Sequence, residues 1–296
     1  MKSFLFCFST DDGCLDGYST EAHLERLLAF CEEEKIKMTL FTVPLSFEKK
    51  SKTYSSILKN MISQGHEIGQ HGLEHTRFEF GIPPEMILDL PHEKENKEFV
   101  RTHRPEIEKQ LSVSVITSRL RNGREILEQN LNCKIKGFRG PCLSVCGNLF
   151  TALVLEKYAY DSSKCFQPGA WDILNNKKEI KIKPITKKDF DAAQVKGDMK
   201  TLPLTAEYTW YLEKDKLEIT FDLARHDLDA CIENDIPFVP VCHVSPIQEG
   251  NEPLLGFEFY RRLIAYGQEK AASMNKKFEA VTMSEACNKF FSKSQE

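Results

Sequence analysis

Short apolar runs alternate with longer amphipathic stretches from one end of this 296-residue sequence to the other, and no other feature limits its fold so tightly. A short apolar run bounded by polar residues reads as a buried strand, and apolar residues at helical spacing read as a helix lying on it. Residues 4–8 form the first such strand. Residues 20–35 follow as a helix with Leu24, Leu27, Leu28 and Cys31 on one stripe. Residues 38–43 are a second strand, stopped by Pro44. Residues 55–63 are a helix ended by Gly65, and residues 67–70 a short third strand. The rhythm continues with helices at 118–130, 149–157, 256–274 and 283–291. Strands are expected at 133–138, 159–162, 201–205, 238–242 and 278–281. Strand and helix in alternation imply parallel βαβ units, and about seven or eight strands suit a (β/α) barrel better than a short open sheet. The chain is read as one α/β domain over 1–296.

Two segments break the rhythm. Residues 76–114 hold Pro83, Pro84, Pro91 and Pro105 among many charges, and residues 164–200 are polar and Lys-rich. Connections this long in a compact domain are functional lids or disordered. Here they are expected to be insertions that shape a pocket.

Composition excludes several classes of function. Lys and Arg (40) nearly balance Asp and Glu (44), and no basic run interleaved with aromatics suggests a nucleic-acid footprint. Lys177-Lys178 and Lys187-Lys188 read as solvated faces. No stretch approaches the roughly 20 apolar residues that span a bilayer. The first eight residues carry one positive charge and too short an apolar core for a secretory signal, so a cytoplasmic location is expected. Ten cysteines lie scattered without a CxxC pair, which fits free thiols in a reducing compartment.

Four blocks carry candidate chemistry, each at the C-terminal end of an expected strand. Asp11-Asp12-Gly13 places two carboxylates side by side. They repel unless a cation offsets them, although the same triplet is good turn material. His71 and His75 are spaced i, i+4, which on a helical turn would put both imidazoles within reach of one metal ion. A His-rich polar turn is the bland alternative. His66, before the pair, is read as structural. Arg139, followed by Gly140-Pro141, either pairs with one of the carboxylates or sits as a surface Arg in a turn. His243 ends a buried run and is the candidate general acid, where a lone His is otherwise structural. All four blocks converge where the active sites of such barrels sit.

These blocks, in this order, resemble the motifs of the polysaccharide deacetylase (NodB-homology, carbohydrate esterase) family over residues 3–291. Ser9-Thr10-Asp11-Asp12-Gly13 is similar to its first motif, His71-Gly72-Leu73-Glu74-His75 to its His-x-x-x-His motif, Phe138-Arg139-Gly140-Pro141-Cys142 to its Arg-x-Pro motif, and His243 to its final His. The resemblance implies a distorted (β/α) barrel with one divalent ion held by Asp12, His71 and His75, zinc first, with cobalt, nickel or manganese compatible. It implies Asp11 as the base that activates the attacking water, Arg139 as its holder, and His243 as the acid that protonates the leaving amine. The backbone N–H of Cys142, after Pro141, would stabilise the oxyanion. Thr10 and Cys142 depart from the family's aromatic residues. No Asp-x-x-Asp-Trp block, the family's fourth motif, occurs between 143 and 236. Trp210 is expected to supply the apolar wall instead, and Asp161 and Asp222 are the candidates if any Asp orients Arg139 or His243.

The implied reaction is removal of an N-acetyl or N-formyl group from an amino sugar. For a cytoplasmic chain this would be a nucleotide-linked, lipid-linked or small soluble sugar rather than a finished cell wall, which points towards surface-polysaccharide or lipopolysaccharide biosynthesis. Hydrolysis of a cyclic ureide or imide on the same fold, and a non-catalytic carbohydrate-binding relative, are the alternatives. The sequence sets no oligomeric state.

Overall fold

The computed structural model describes residues 2–194 and 199–292. Its strands are β1 (Lys2–Phe6), β2 (Phe8–Gly13), β3 (Met38–Thr42), β4 (Glu67–His71), β5 (Gly137–Arg139), β6 (Tyr160–Asp161), β7 (Lys200–Thr201), β8 (Val241–His243) and β9 (Lys276–Ala280). Its helices are α1 (Glu21–Glu33), α2 (Pro44–Glu48), α3 (Lys52–Ser63), α4 (Glu85–Leu88), α5 (Lys94–Lys109), α6 (Val113–Leu131), α7 (Gly147–Leu155), α8 (Gly169–Leu174), α9 (Lys187–Ala193), α10 (Lys214–Glu233), α11 (Leu255–Ser273) and α12 (Met283–Ser292). Seven strands form one parallel sheet in the order β7-β6-β5-β4-β3-β2-β8. Every residue of β2 and β3 is buried, as expected of strands covered on both faces.

The helices form where local chemistry favours them. Thr20, Ser51 and Ser112 cap α1, α3 and α6, their hydroxyls accepting from the backbone N–H of His23, Tyr54 and Val115. Helix α1 buries the expected stripe of Leu24, Leu27, Leu28 and Cys31 against the sheet.

The sheet curls, and its two edges meet through irregular backbone. Thr205 N–H donates to Val239 O (2.8 Å) and Val241 N–H to Ala206 O (3.0 Å), while Phe166 and Gln167 donate from the other side to Leu204 and Thr205. Of the segment expected as a strand over 201–205 only Thr201 lies in a regular strand, β7, and the rest closes a distorted barrel through irregular backbone. Pro203 interrupts it, because proline has no N–H to give to a ladder. The run expected as one strand over 4–8 divides at Cys7. β1 pairs with β9 in a separate two-stranded sheet, and β2 joins the main one. An apolar run reads the same in either sheet, so only the placement of the distant β9 decides this.

The two insertions are more ordered than their composition suggested. Residues 76–114 contain α4, α5 and the start of α6. Helix α5 runs past Pro105 with a break at His103, where proline sterics disfavour helical geometry upstream. Residues 164–200 contain α8 and α9, and 195–198 lie outside the described residues. All ten cysteines are free thiols. Among the described residues no helix is long and apolar enough to cross a membrane.

His66, read as structural, is so. Its Nδ1 accepts the backbone N–H of Met38 (3.1 Å), tying the entry of β4 to β3. Burial, with the Lys37 ammonium nearby, pulls its pKa from 6.5 down to about 4. As pH falls across that window the unfolded chain takes up a proton that the folded chain refuses, so stability declines from about 6.5 towards 4 and levels below. His66→Asn keeps an acceptor near Nδ1 and cannot titrate. Its denaturation midpoint should therefore fall less than the wild type's between pH 6.5 and 4; parallel curves for the two proteins would refute the assignment.

Candidate active site

The C-terminal ends of β2, β4, β5 and β8 bring the four blocks together. Parallel register sets Asp11 opposite His243 and His71 opposite Arg139, so the pairing of strands alone aligns four of the candidate residues. Asp12 and His75 follow within the loops.

Arg139 is fully buried. Its Nη1 donates to Asp11 Oδ1 (2.5 Å), and its Nη2 to Ser9 Oγ (3.1 Å) and Ser162 Oγ (3.0 Å). Its Nε donates to the Ser162 carbonyl (3.3 Å). Phe41 lies under the guanidinium, 4.1 Å from ring centroid to Cζ. Neither Asp161 nor Asp222 orients this group. Asp161 accepts from the hydroxyl and N–H of Ser163, and that hydroxyl accepts from Gly140 N–H, so its effect falls on the turn after Arg139. Asp222 pairs with Arg225 on the exposed face of α10. The hydroxyls of Ser9 and Ser162, which no charge pattern marks, do the work expected of an acid.

The Arg139 carbonyl oxygen lies 3.0 Å from His71 Nδ1. A carbonyl only accepts, so Nδ1 carries a proton and Nε2 is the nitrogen turned towards Asp12. That Nε2 lies 3.5 Å from Asp12 Oδ1, and His75 Nε2 lies 3.1 Å from the same oxygen. Burial works against the Asp12 carboxylate, but the two imidazoles outweigh it and hold its pKa well below the usual range. Asp12 Oδ1 is buried and has no partner in hydrogen-bonding geometry. Protons on the two Nε2 atoms, or a cation lying between them and the carboxylate, would answer this buried charge. Asp12, His71 and His75 are the one group among the described residues whose donor atoms could hold a metal ion. Two nitrogens and an oxygen, with room for further ligands, suit zinc and its neighbours.

The His pair does not converge on a helical turn, as its spacing suggested. His71 ends β4, and the chain reverses at Gly72 (φ +64°), where a Cβ would stand 2.4 Å from the Pro141 ring. Buried Glu79 then accepts from the N–H of Leu73 (2.9 Å) and Glu74 (2.8 Å), and His75 swings back in the left-handed region at φ 67°. Asp12 (φ 65°) and Cys142 (φ 51°) share that backbone strain, roughly 1–3 kcal/mol per residue. Strain at three residues of one site is the pattern expected where geometry is held for a purpose.

His243 has a partner that the sequence reading missed. Fully buried Glu207 accepts from His243 Nδ1 (2.7 Å), and its other oxygen accepts from Thr209 N–H (2.7 Å) and Oγ1 (3.0 Å). Burial opposes a charged imidazole, but the Glu207 hydrogen bond and the charges of Asp12 and Asp11 override it and raise the His243 pKa to about 9. The ring is thus protonated near neutrality, with Nε2 directed away from Glu207. The signal was the proximity of Glu207 to Trp210. Glu207, a carboxylate one methylene longer than Asp, fills that place. Trp210 stands edge to face on His243 at 4.4 Å and lies 6.0 Å from Trp171.

These groups line a cavity of about 290 Å³. Both insertions wall it, through Arg77, Leu90 and Glu93 from one and Cys165 and Trp171 from the other. Cys142 and Leu143 line it beside the metal-binding group. Burial pushes the Cys142 thiol up to about 12, so it remains a thiol rather than a nucleophile.

Comparison with known proteins agrees with this architecture. The polysaccharide deacetylase family model matches residues 6–160, just over half of the 296-residue chain. No curated protein sequence matches. Among solved structures, a candidate polysaccharide deacetylase from Mycobacterium smegmatis is similar with a TM-score of 0.61 at 15% identity, over 99% of this chain and 92% of that one. A family 4 acetyl xylan esterase from Clostridium thermocellum, solved with a cobalt ion, has a TM-score of 0.50 at 15% identity, over 98% and 92%. A CE4 family pseudoenzyme from Bacillus anthracis also scores 0.50, at 13% identity over 97% and 66%. At such identities the structures speak for the fold, whereas the family match covers the strands that carry Asp11, Asp12, His71, His75 and Arg139: the chain belongs to the polysaccharide deacetylase family.

Proposed function

We propose that this protein is a divalent-metal-dependent hydrolase that removes an acetyl or formyl group from the nitrogen of an amino sugar. The observation that carries the reading is the convergence of three sets of groups in one cavity: Asp12, His71 and His75; Asp11 held by Arg139; and His243 held by Glu207. An amide needs help at both ends, with a proton taken from water and one given to nitrogen. A bound divalent ion would polarise the scissile carbonyl and acidify water. Asp11 is the base, aimed by Arg139. His243 is the acid, its Nε2 proton available because Nδ1 is committed to Glu207. The backbone N–H of Cys142 is assigned to the oxyanion, and Trp210 with Trp171 to the apolar face of the sugar. At about 290 Å³ the cavity sits at the low end of the ~300–1,000 Å³ common for ligand pockets. That supports a single acylated sugar, free or at the end of a larger molecule such as a nucleotide-linked or lipid-linked intermediate, over the middle of a polymer.

The deciding experiment is metal content beside turnover. Wild type should bind about one divalent ion per chain, zinc first, as expected for a single two-nitrogen, one-oxygen site. His71→Ala/His75→Ala should lose it. A wild type that takes up no metal even with added zinc would sink the reading. Asp11→Asn should keep the ion while amine release falls by a factor on the order of 10² to 10⁴, the usual worth of a general base; near-normal rates would reassign the base.

The role of His243 makes a pH prediction. An acid must be protonated to act, so activity falls as pH rises through its pKa. Glu207→Gln removes a contact that raises that pKa. The alkaline limb of the kcat profile should therefore move to lower pH, and an unmoved limb would show that His243 is not the acid.

A further inference from the structure

Arg77 lines the same cavity as Asp12, His75 and Cys142 but has no part in the chemistry above. It belongs to the first insertion, and its surroundings hold it in one pose. Glu93, 1% exposed, grips it as a fork: Nε donates to Oε2 (3.1 Å) and Nη2 to Oε1 (2.6 Å). Asn96 steadies the same carboxylate (2.7 Å), and Arg77 Nη1 donates to Cys142 Sγ (3.0 Å). A guanidinium has five N–H groups. Three are used, which leaves one on Nη1 and one on Nη2 with no acceptor among the described residues. The side chain is 33% exposed.

An ion pair that served only to pin the insertion would have no reason to bring its guanidinium to the residue beside the metal-binding group. The other charges of the cavity wall are already matched. Asp11 faces Arg139, Asp12 faces two imidazoles, Glu207 faces His243, and Asp16 pairs with Lys50 (2.6 Å). His92 on the same wall lies 3.6 Å from Glu93. Arg77 is thus the guanidinium, among the described residues of the cavity, with directed donors to spare. Two N–H groups on neighbouring nitrogens of a rigid plane suit two oxygens of one acid group, and prior fixation by Glu93 limits the entropy lost on binding.

We propose that Arg77 determines specificity by receiving a carboxylate or phosphate carried by the acylated sugar. The proposal rests on the reading of this cavity as an acylated-sugar site.

Zinc-loaded protein would be given three sugars with one ring: neutral N-acetylglucosamine, N-acetylmuramic acid with its added carboxylate, and N-acetylglucosamine 6-phosphate. Amine release would yield kcat/KM for each in wild type, Arg77→Gln and Arg77→Lys. Wild type should favour one anionic sugar over the neutral one by about tenfold or more, the scale of a charge-assisted hydrogen bond, and mainly through KM. Whichever anionic sugar wins names the acid. The preference should collapse towards one in Arg77→Gln and survive in part in Arg77→Lys, which keeps a charge for Glu93 and so guards against misfolding. Equal kcat/KM for all three sugars in wild type, or a preference that persists in Arg77→Gln, overturns the proposal. If none of the three is turned over, the hydrolase reading suffers instead, and calorimetry with glucosamine 6-phosphate and with muramic acid decides on Arg77. Tighter binding to wild type than to Arg77→Gln supports the proposal, and equal binding overturns it.

Discussion

The buried guanidinium of Arg139 is the interaction on which the rest of this site depends. Its side chain holds Asp11, and its carbonyl oxygen fixes the proton of His71 on Nδ1. One residue thereby sets the aim of a candidate base and the placement of a ring proton on a candidate metal ligand. A buried cation is costly unless its donors are met, and removal of one partner leaves an uncompensated charge. Here Asp11, Ser9 and Ser162 meet them, with Phe41 beneath. Asp11 and Ser9 come from β2, Phe41 from β3 and Ser162 from just beyond β6, so the network exists only where these strands lie side by side.

A second constraint is strain. Asp12, His75 and Cys142 hold left-handed backbone without being glycine. The surroundings of two of them are visible: Glu79 gathers the loop between the two histidines, and Asp161 acts through Ser163 on the turn before Cys142. Buried carboxylates remote from the chemistry therefore serve it by shaping backbone. This is why Asp161 counts for the site although it touches neither Arg139 nor His243.

The two insertions turn the open mouth of a barrel into a small cavity. They contribute aromatic surface through Trp171 and a fixed cation through Arg77, on walls that the four blocks do not reach. The candidate reacting groups sit on strand ends and their first loops, where rigid neighbours hold them. What distinguishes one substrate from another would lie on the helices and loops above. Such a division lets the insertions diverge without disturbing the metal-binding group.

The sequence by itself determined the alternation of strand and helix, the stripe on α1, and the set Asp11, Asp12, His71, His75, Arg139 and His243. These are local signals, because hydrophobic periodicity and a titratable residue after an apolar run need no knowledge of distant neighbours. Only the tertiary structure decided which strands pair. The run at 4–8 splits between two sheets because β9 lies beside its first half, and Pro203 keeps the closing segment irregular. It also decided how the two histidines meet, since the reversal at Gly72 depends on Pro141 and Glu79 rather than on helical spacing. Glu207, Ser9 and Ser162 escaped the sequence reading for the same reason. A hydroxyl or a single carboxylate becomes a partner only when folding brings it, across tens to more than a hundred residues of chain, to a group that has lost its water.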